Sequence, residues 1–341
     1  MLAKPSANSI SRTKIRRSIN LLSLYEAPPG LKYEDFLLDA AERGRVVSAV
    51  GQALDNSYVF PEVGKKISAT LQAHLRRGDY DALVEGELFS KKLTDELIAI
   101  SHDKHLSVDF YLFPQPESTQ TNQTEADARY AKAMARANCG FERAEHLPGN
   151  IGYLKLDVFA EPSVCGETAT AAMSFLGNSD AIIFDLRENG GGAPRMITLL
   201  TTYLFAKTTH LNDFYQRKEN TTDQLWTLAY VPGKRLADKP VYLLMSKNTF
   251  SAAEEFGYNL KALKRATLVG EPTAGGAHPV GPHRIDAHFT VLVPFARAIN
   301  PVTKTNWEGT GVEPDIKVPA AEALDAAIQL ATQKLRESSA R

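Results

Sequence analysis

Residues 181–192 read Ala181-Ile-Ile-Phe-Asp-Leu-Arg-Glu-Asn-Gly-Gly-Gly192. The opening apolar run has no polar alternation, which fits a strand covered on both faces rather than one with a wet side. Three successive glycines, Gly190, Gly191 and Gly192, then let the backbone turn sharply and present unpaired N–H groups to a ligand. A plain tight turn into the following helix would use the same glycines. Neither the GxxxxGK[ST] nor the GxGxxG spacing is present, which excludes a phosphate loop.

The same texture extends on both sides of this segment. Short β-rich runs at 151–158, 181–186, 241–245, 267–269 and 289–293 alternate with helical stretches at 166–176, 194–206, 251–264 and 320–336. Strands alternating with helices predict a largely parallel sheet covered by helices, with chemistry on loops at the carboxyl ends of the strands. This α/β domain is expected to span 150–341.

Upstream the period changes. Val46, Val47, Val50 and Leu54, then Val63, Ile67, Leu71 and Leu75, then Leu88, Leu93, Leu97 and Ile98 recur mostly at spacings of three and four. Such spacings put each group on one helix face, so 31–110 is expected to be a small helical bundle. Residues 111–149 are poor in large aliphatics and read as a polar connector, partly helical around 125–137. Residues 1–30 are basic and acid-poor and read as an N-terminal arm. Their apolar run is interrupted by Asn20 and Ser23 and does not make the core of a secretory signal. The compartment stays open: cytoplasmic by default, periplasmic or secreted if a signal peptide has been trimmed.

Composition narrows the class. The 341 residues are 43% hydrophobic and 23% charged, ordinary for a soluble globular protein. Lys plus Arg number 39 against 40 Asp plus Glu, a balance that argues against a nucleic-acid partner. No stretch approaches the ~20 apolar residues of a membrane span. Two cysteines, Cys139 and Cys165, are too few for a disulfide scaffold or a four-thiolate zinc site.

Several further segments carry candidate chemistry. Ser251 stands in Asn248-Thr-Phe-Ser251-Ala-Ala-Glu254, where a strand-loop ends and a helix begins. It could be an N-cap in a capping box with Glu254, or a nucleophile placed where the helix N-terminus stabilises negative charge. Glu308 lies in the loop Trp307-Glu308-Gly-Thr-Gly-Val-Glu-Pro-Asp315, and His102 and His105 lie in Ser101-His102-Asp103-Lys104-His105-Leu106. His278, His283 and His288 are spaced by five, which on a strand puts neighbours on opposite faces and speaks against a joint metal site.

Taken in this order, the segments resemble a superfamily of serine peptidases. It comprises the tail-specific (C-terminal processing) proteases, the tricorn core protease and the interphotoreceptor retinoid-binding proteins. Asp185–Gly192 is similar to the DLRxNxGG segment, Ser251-Ala-Ala-Glu254 to the SAxE nucleophile segment, and Gly309–Asp315 to the terminal GxGVxPD. Gly270-Glu-Pro-Thr-Ala-Gly-Gly276 resembles the stretch after the nucleophile helix. Leu54–Pro61 and Asp103-Lys-His-Leu106 are most like the retinoid-binding-protein branch. The implied architecture is a helical N-terminal part joined to a crotonase/ClpP-like α/β sheet domain with covering helices.

Two departures shape the expectation. Where the tail-specific proteases carry a lysine base, this chain has Gly276, and the room between His105 and Ile151 is too short for the PDZ domain those proteases usually insert. The resemblance then implies a tricorn-like set: Ser251 as nucleophile, His105 (with His102 the alternative) as base, and Glu308 orienting the imidazole directly or through another polar residue. The backbone N–H groups of Gly191 and Ala252 would bind the oxyanion. No cofactor or metal is implied, the partner would be a peptide or protein substrate, and oligomerisation is left open. The competing reading is a non-catalytic carrier of a retinoid or fatty acid, with Ser251 only capping a helix.

Overall fold

The computed structural model describes residues 37–115, 117 and 120–339, so the expected arm at 1–30 lies outside them. Helices α1 (Ala40–Ser57), α2 (Pro61–Arg77) and α3 (Gly86–Ser101) form where the stripes predict. Asp39 caps α1 by accepting from Glu42 N–H at 2.8 Å, and Glu42 reaches back to Asp39 N–H at 3.1 Å. Gly78, at φ +79°, ends α2 in a left-handed conformation that only glycine adopts freely.

The helical stripes do not pack only on one another. Val46, Val50, Leu54, Ile67, Leu71, Phe89, Leu93 and Leu97 share one core with Val108, Phe289, Val291 and Val293. Burying each such Leu, Ile or Val fully is worth about 1.5–3 kcal/mol. The last four residues belong to an antiparallel sheet of β1 (Ser107–Phe110), β10 (Phe289–Pro294) and β9 (Val280–Arg284). The run at 289–293, expected in the parallel sheet, therefore pairs with the N-terminal region. Its alternating burial leaves one face for those helices.

The second core surrounds a six-stranded sheet in the order β12-β8-β7-β4-β3-β2. The strands are β2 (Phe141–Leu147), β3 (Ile151–Leu156), β4 (Ala181–Asp185), β7 (Val241–Met245), β8 (Thr267–Gly270) and β12 (Ile316–Lys317). All neighbours are parallel except β2 and β3. Along β4, Ile182 and Phe184 face a core that includes residues of α5 (Pro162–Phe175), α6 (Pro194–Thr202) and α7 (Ala252–Ala262). Ala181 and Ile183 face Ala323, Ala327 and Ala331, which recur every fourth residue on α8 (Ala323–Ser339). Strands β5 (His210–Gln216), β6 (Thr221–Trp226) and β11 (Ala296–Ile299) form a separate small sheet.

The stretch read as a connector contains more structure than its polarity suggests. It holds helix α4 (Gln120–Arg136) and all of β2, which extends the main sheet through a hairpin with β3. As an edge strand with one mostly exposed face, β2 lacks the aliphatic run that marks an interior strand. Cys139 and Cys165 form a disulfide with a Cα–Cα distance of 5.6 Å. Their separation of 26 residues along the chain gave no sign of this, because the turn after α4 folds back beside α5. Among the described residues, no helix is long and apolar enough to cross a membrane.

Candidate active site

The parallel strands end in loops that meet over α7. At the end of β4, Asp185 is fully buried and accepts from Arg187 Nε at 2.9 Å, Arg187 Nη2 at 2.6 Å and Tyr153 Oη at 2.7 Å. Arg187 Nη1 in turn donates to Ala320 C=O at 2.7 Å. Asn189 donates through Nδ2 to Leu156 C=O at 2.8 Å, and its own C=O accepts from Phe250 N–H at 3.0 Å. The conspicuous polar residues of this motif thus build the loop and tie it to the turn that carries Ser251.

Ser251 occupies that turn between β7 and α7, at φ +56° and ψ −122°. A non-glycine residue there stores about 1–3 kcal/mol of strain. The surroundings hold it: Ser251 N–H donates to Glu254 Oε2 at 2.8 Å, and Glu255 N–H donates to Ser251 C=O at 3.0 Å. Glu254 is fully buried and also accepts from Gly275 N–H at 2.6 Å, Gly276 N–H at 2.9 Å and Thr273 Oγ1. Burial pushes its carboxyl up, and these donors pull it partly back. One carboxylate therefore stitches the serine turn to the loop after β8.

His105 reaches this turn from the other core. His102 ends α3 in a left-handed conformation and is exposed, and the chain then turns so that Asp103 and His105 face inward. His105 Nε2 lies 3.0 Å from Ser251 Oγ, and its ring sits 4.6 Å from that of Phe250. Of the two candidate histidines, His105 is the one that meets the serine. Burial pushes its imidazole down to about 4, Asp103 raising and His278 further lowering it, so the ring is neutral near pH 7 with a lone pair to offer. Its Nδ1 has no hydrogen-bond partner and stands 3.9 Å from Asp103 Oδ1.

Glu308 does not touch His105 by hydrogen bond. Its Oε2 accepts from Ala277 N–H at 2.6 Å and lies 3.4 Å from His278 Nδ1, while its buried Oε1 is without a partner. Burial, with Asp103 nearby, pushes this carboxyl up to about 7. His278 Nδ1 is 2.7 Å from Asp103 Oδ2, which also accepts from Tyr58 Oη at 3.3 Å. Asp103 and His278, both buried, and the part-buried Glu308 thus form a cluster with ligand atoms within 4.8 Å of one another. The 2.7 Å separation is that of a hydrogen bond.

The expected oxyanion donors fare differently. Ala252 is the first residue of α7, and its N–H is one of those a helix leaves without an internal partner. Gly191 N–H, by contrast, donates to Asn189 Oδ1 at 2.9 Å and is engaged. The asparagine side chain closes a local turn there, which glycine spacing alone cannot reveal. Gly191 still has to be glycine: a β-carbon would lie 2.8 Å from Ser251 Cβ, and its φ is +105°. Lys261, one of the lysines nearest in sequence, pairs instead with Asp315 at 2.9 Å.

Nothing in the local sequence marks Asp103 or His278 as a site residue. Asp103 lay within a quoted motif but carried no signal of its own. His278 was grouped by spacing with His283, now on β9, and His288, which bonds Tyr111 C=O at 2.8 Å. Its true partner is 175 residues away along the chain.

Residues 150–318 match the family model of peptidase family S41, and residues 40–138 match that of the N-terminal domain of Peptidase_S41 in eukaryotic IRBP. The chain is 29% identical over 188 residues to the chloroplastic carboxyl-terminal-processing peptidase 2 of Arabidopsis thaliana, covering 51% of this chain and 34% of that protein. It is 23% identical over 282 residues to the chloroplastic C-terminal processing peptidase of Tetradesmus obliquus, covering 75% of this chain and 57% of that one. The matches thus span about a third and somewhat over half of these relatives. The crystal structure of mature CPAF superposes with a TM-score of 0.60 at 13% identity, over 86% of this chain and 97% of that one, a likeness of fold.

Proposed function

Since the chain belongs to peptidase family S41, we propose that it is a serine peptidase that hydrolyses peptide bonds through an acyl-enzyme on Ser251. The observation that carries this reading is the 3.0 Å approach of His105 Nε2 to Ser251 Oγ on a strained strand-to-helix turn. A hydroxyl needed only as a helix cap has no use for a buried, neutral imidazole against its oxygen.

In the proposed cycle Ser251 Oγ attacks the peptide carbonyl carbon while His105 Nε2 takes the hydroxyl proton. The carbonyl oxygen becomes an oxyanion beside Ala252 N–H and the N-terminus of α7. Removing one such donor typically costs about 3–4 kcal/mol of transition-state stabilisation. Collapse breaks the C–N bond, and the His105 proton passes to the leaving amine. Water then attacks the ester with His105 again as base, releasing the acid and restoring Ser251. The imidazolium needs a negative neighbour behind it, and Asp103 at 3.9 Å, with Glu308 beyond, supplies one. Gly191 N–H joins the oxyanion contacts only on release from Asn189. The substrate class is peptide or protein.

A fluorophosphonate probe tests the assignment. Covalent modification of the wild type at Ser251, abolished in Ser251→Ala together with peptide cleavage, is the expected result. An unlabelled wild type that binds retinol tightly would overturn it in favour of a ligand carrier.

A further inference from the structure

We propose that His278 is a positioning residue for the reaction, transmitting the influence of Glu308 to His105 through the Asp103 carboxylate. This inference rests on the serine peptidase reading above and names a relay within that site. His278 is 4% exposed, its ring packed edge-on against Phe60 at 5.2 Å. Its Nδ1 faces two carboxylates at once, Asp103 Oδ2 at 2.7 Å and Glu308 Oε2 at 3.4 Å. Ala277, the residue before it, holds Glu308 Oε2 by its backbone N–H. The backbone on this loop therefore fixes the acid, and the side chain next along joins it to the second acid.

Asp103 has divided duties. Its Oδ2 takes the His278 and Tyr58 contacts, while its Oδ1 accepts from His105 N–H at 3.0 Å and faces His105 Nδ1 at 3.9 Å. When His105 takes the serine proton, its buried Nδ1–H gains a positive charge and requires an acceptor, and Asp103 Oδ1 is the carboxylate oxygen beside it. Hydrogen bonds of this kind are often loose before substrate binds and tighten in the reacting complex. Asp103 Oδ2 and Glu308 Oε2 both face His278 Nδ1, so the placement of the Asp103 carboxylate beside His105 depends on the contact His278 makes with it. The groups facing Glu308 are His278 from the loop after β8, Asp103 from the turn after α3, Tyr58 from the end of α1 and Glu254 from α7.

A purely structural histidine would merely satisfy Asp103, and enzyme kinetics on the full chain separate the two cases. The readouts are kcat, KM and the pH profile on a fluorogenic peptide, with the fluorophosphonate labelling rate of Ser251 alongside. His278→Asn places an amide N–H near the Nδ1 position and is expected to keep kcat within a few-fold of wild type. His278→Gln places its amide near Nε2 instead, leaving Asp103 and Glu308 unlinked, and is expected to lower kcat by about tenfold or more with little change in KM. The acid limb near pH 7 that Glu308 ionisation gives the wild type should vanish in both His278→Gln and Glu308→Gln. The double variant should be no slower than the slower single variant. Multiplying effects in the double variant would overturn the relay, as would His278→Gln retaining both the rate and the limb while Ser251 labels normally. A wild type that fails to label at Ser251 would instead sink the peptidase reading itself, and the relay with it.

Discussion

Gly276 and His105 occupy one another's space: a β-carbon on residue 276 would lie 2.7 Å from His105 Cε1 and 2.3 Å from the Phe250 ring. A side chain at position 276 is therefore excluded by the His105 imidazole together with the Phe250 ring.

Gly276→Ala should accordingly displace the His105 and Phe250 rings. A misplacement of 1 Å at a reacting group costs about 10²-fold, so kcat and the labelling rate of Ser251 should fall by at least that much. Overpacking of this kind costs about 1–3 kcal/mol, which urea unfolding would register as a lowered midpoint with an unchanged slope. A fully active Gly276→Ala variant would contradict the shared-space account.

Ser251 sits at φ +56°, where glycine is at ease and alanine is not. Both Ser251→Ala and Ser251→Gly should be inactive, but their stabilities should differ in a set order. The glycine variant should unfold at the higher temperature, because about 1–3 kcal/mol of strain relief exceeds the chain-entropy cost of glycine. Calorimetry of the two variants side by side decides it, and an alanine variant more stable than the glycine one would show the turn to be unstrained.

Glu255 lies next to the Glu254 clamp, buried, accepting from Asn212 Nδ2 at 3.3 Å and Asn259 Nδ2 at 3.5 Å. Burial pushes its carboxyl up to about 7, from 4.5 in the unfolded chain. The folded state thus holds the extra proton between these values. Its contribution to stability is complete below pH 4.5 and is lost as pH rises through 7. Glu255→Gln removes that loss and offers an amide N–H to Asn212 Oδ1, which has no partner. Its stability gain over wild type should be near zero at pH 5 and clear at pH 8. Equal gains at both pH values would mean the carboxyl is ionised throughout.

The opposite sign applies to His105, whose folded value of about 4 lies below the 6.5 of a free imidazole. Its neutral, buried form stabilises the fold fully above pH 6.5, and that contribution is lost as pH falls from 6.5 toward 4. His105→Gln should flatten this part of the acid stability profile while abolishing cleavage. Denaturant titrations at pH 7 and pH 4.5 test it, and an unchanged pH dependence would place the proton elsewhere.

Asp185→Asn tests whether the loop motif is architectural. It removes the buried charge that Arg187 and Tyr153 satisfy, a kind of break that costs about 3–5 kcal/mol. The expected result is a large drop in the urea midpoint, with residual activity in the fraction still folded. Loss of cleavage with full stability would instead make Asp185 part of the chemistry.

On its own, the amino-acid sequence marked most of the elements and the residues proposed to react, with His102 left beside His105 as an alternative. The apolar run at 181–184 marked an interior strand, the period of three and four from Val46 to Leu97 marked amphipathic helices, and the ordered motifs picked out Ser251, His105 and Glu308. These signals are legible because strand and helix periods, turn glycines and caps act over a few residues and leave a local pattern. The tertiary structure alone decided the rest. It seated β10 against the N-terminal helices, engaged Gly191 N–H with Asn189, and put Asp103 and His278 between His105 and Glu308. The Gly191 contact is local but turns on a side-chain rotamer, whereas the Asp103–His278 contact joins residues 175 apart along the chain and β1 pairs Ser107 with Leu292. Backbone topology and packing set these long-range meetings, and no short window along the chain contains both partners.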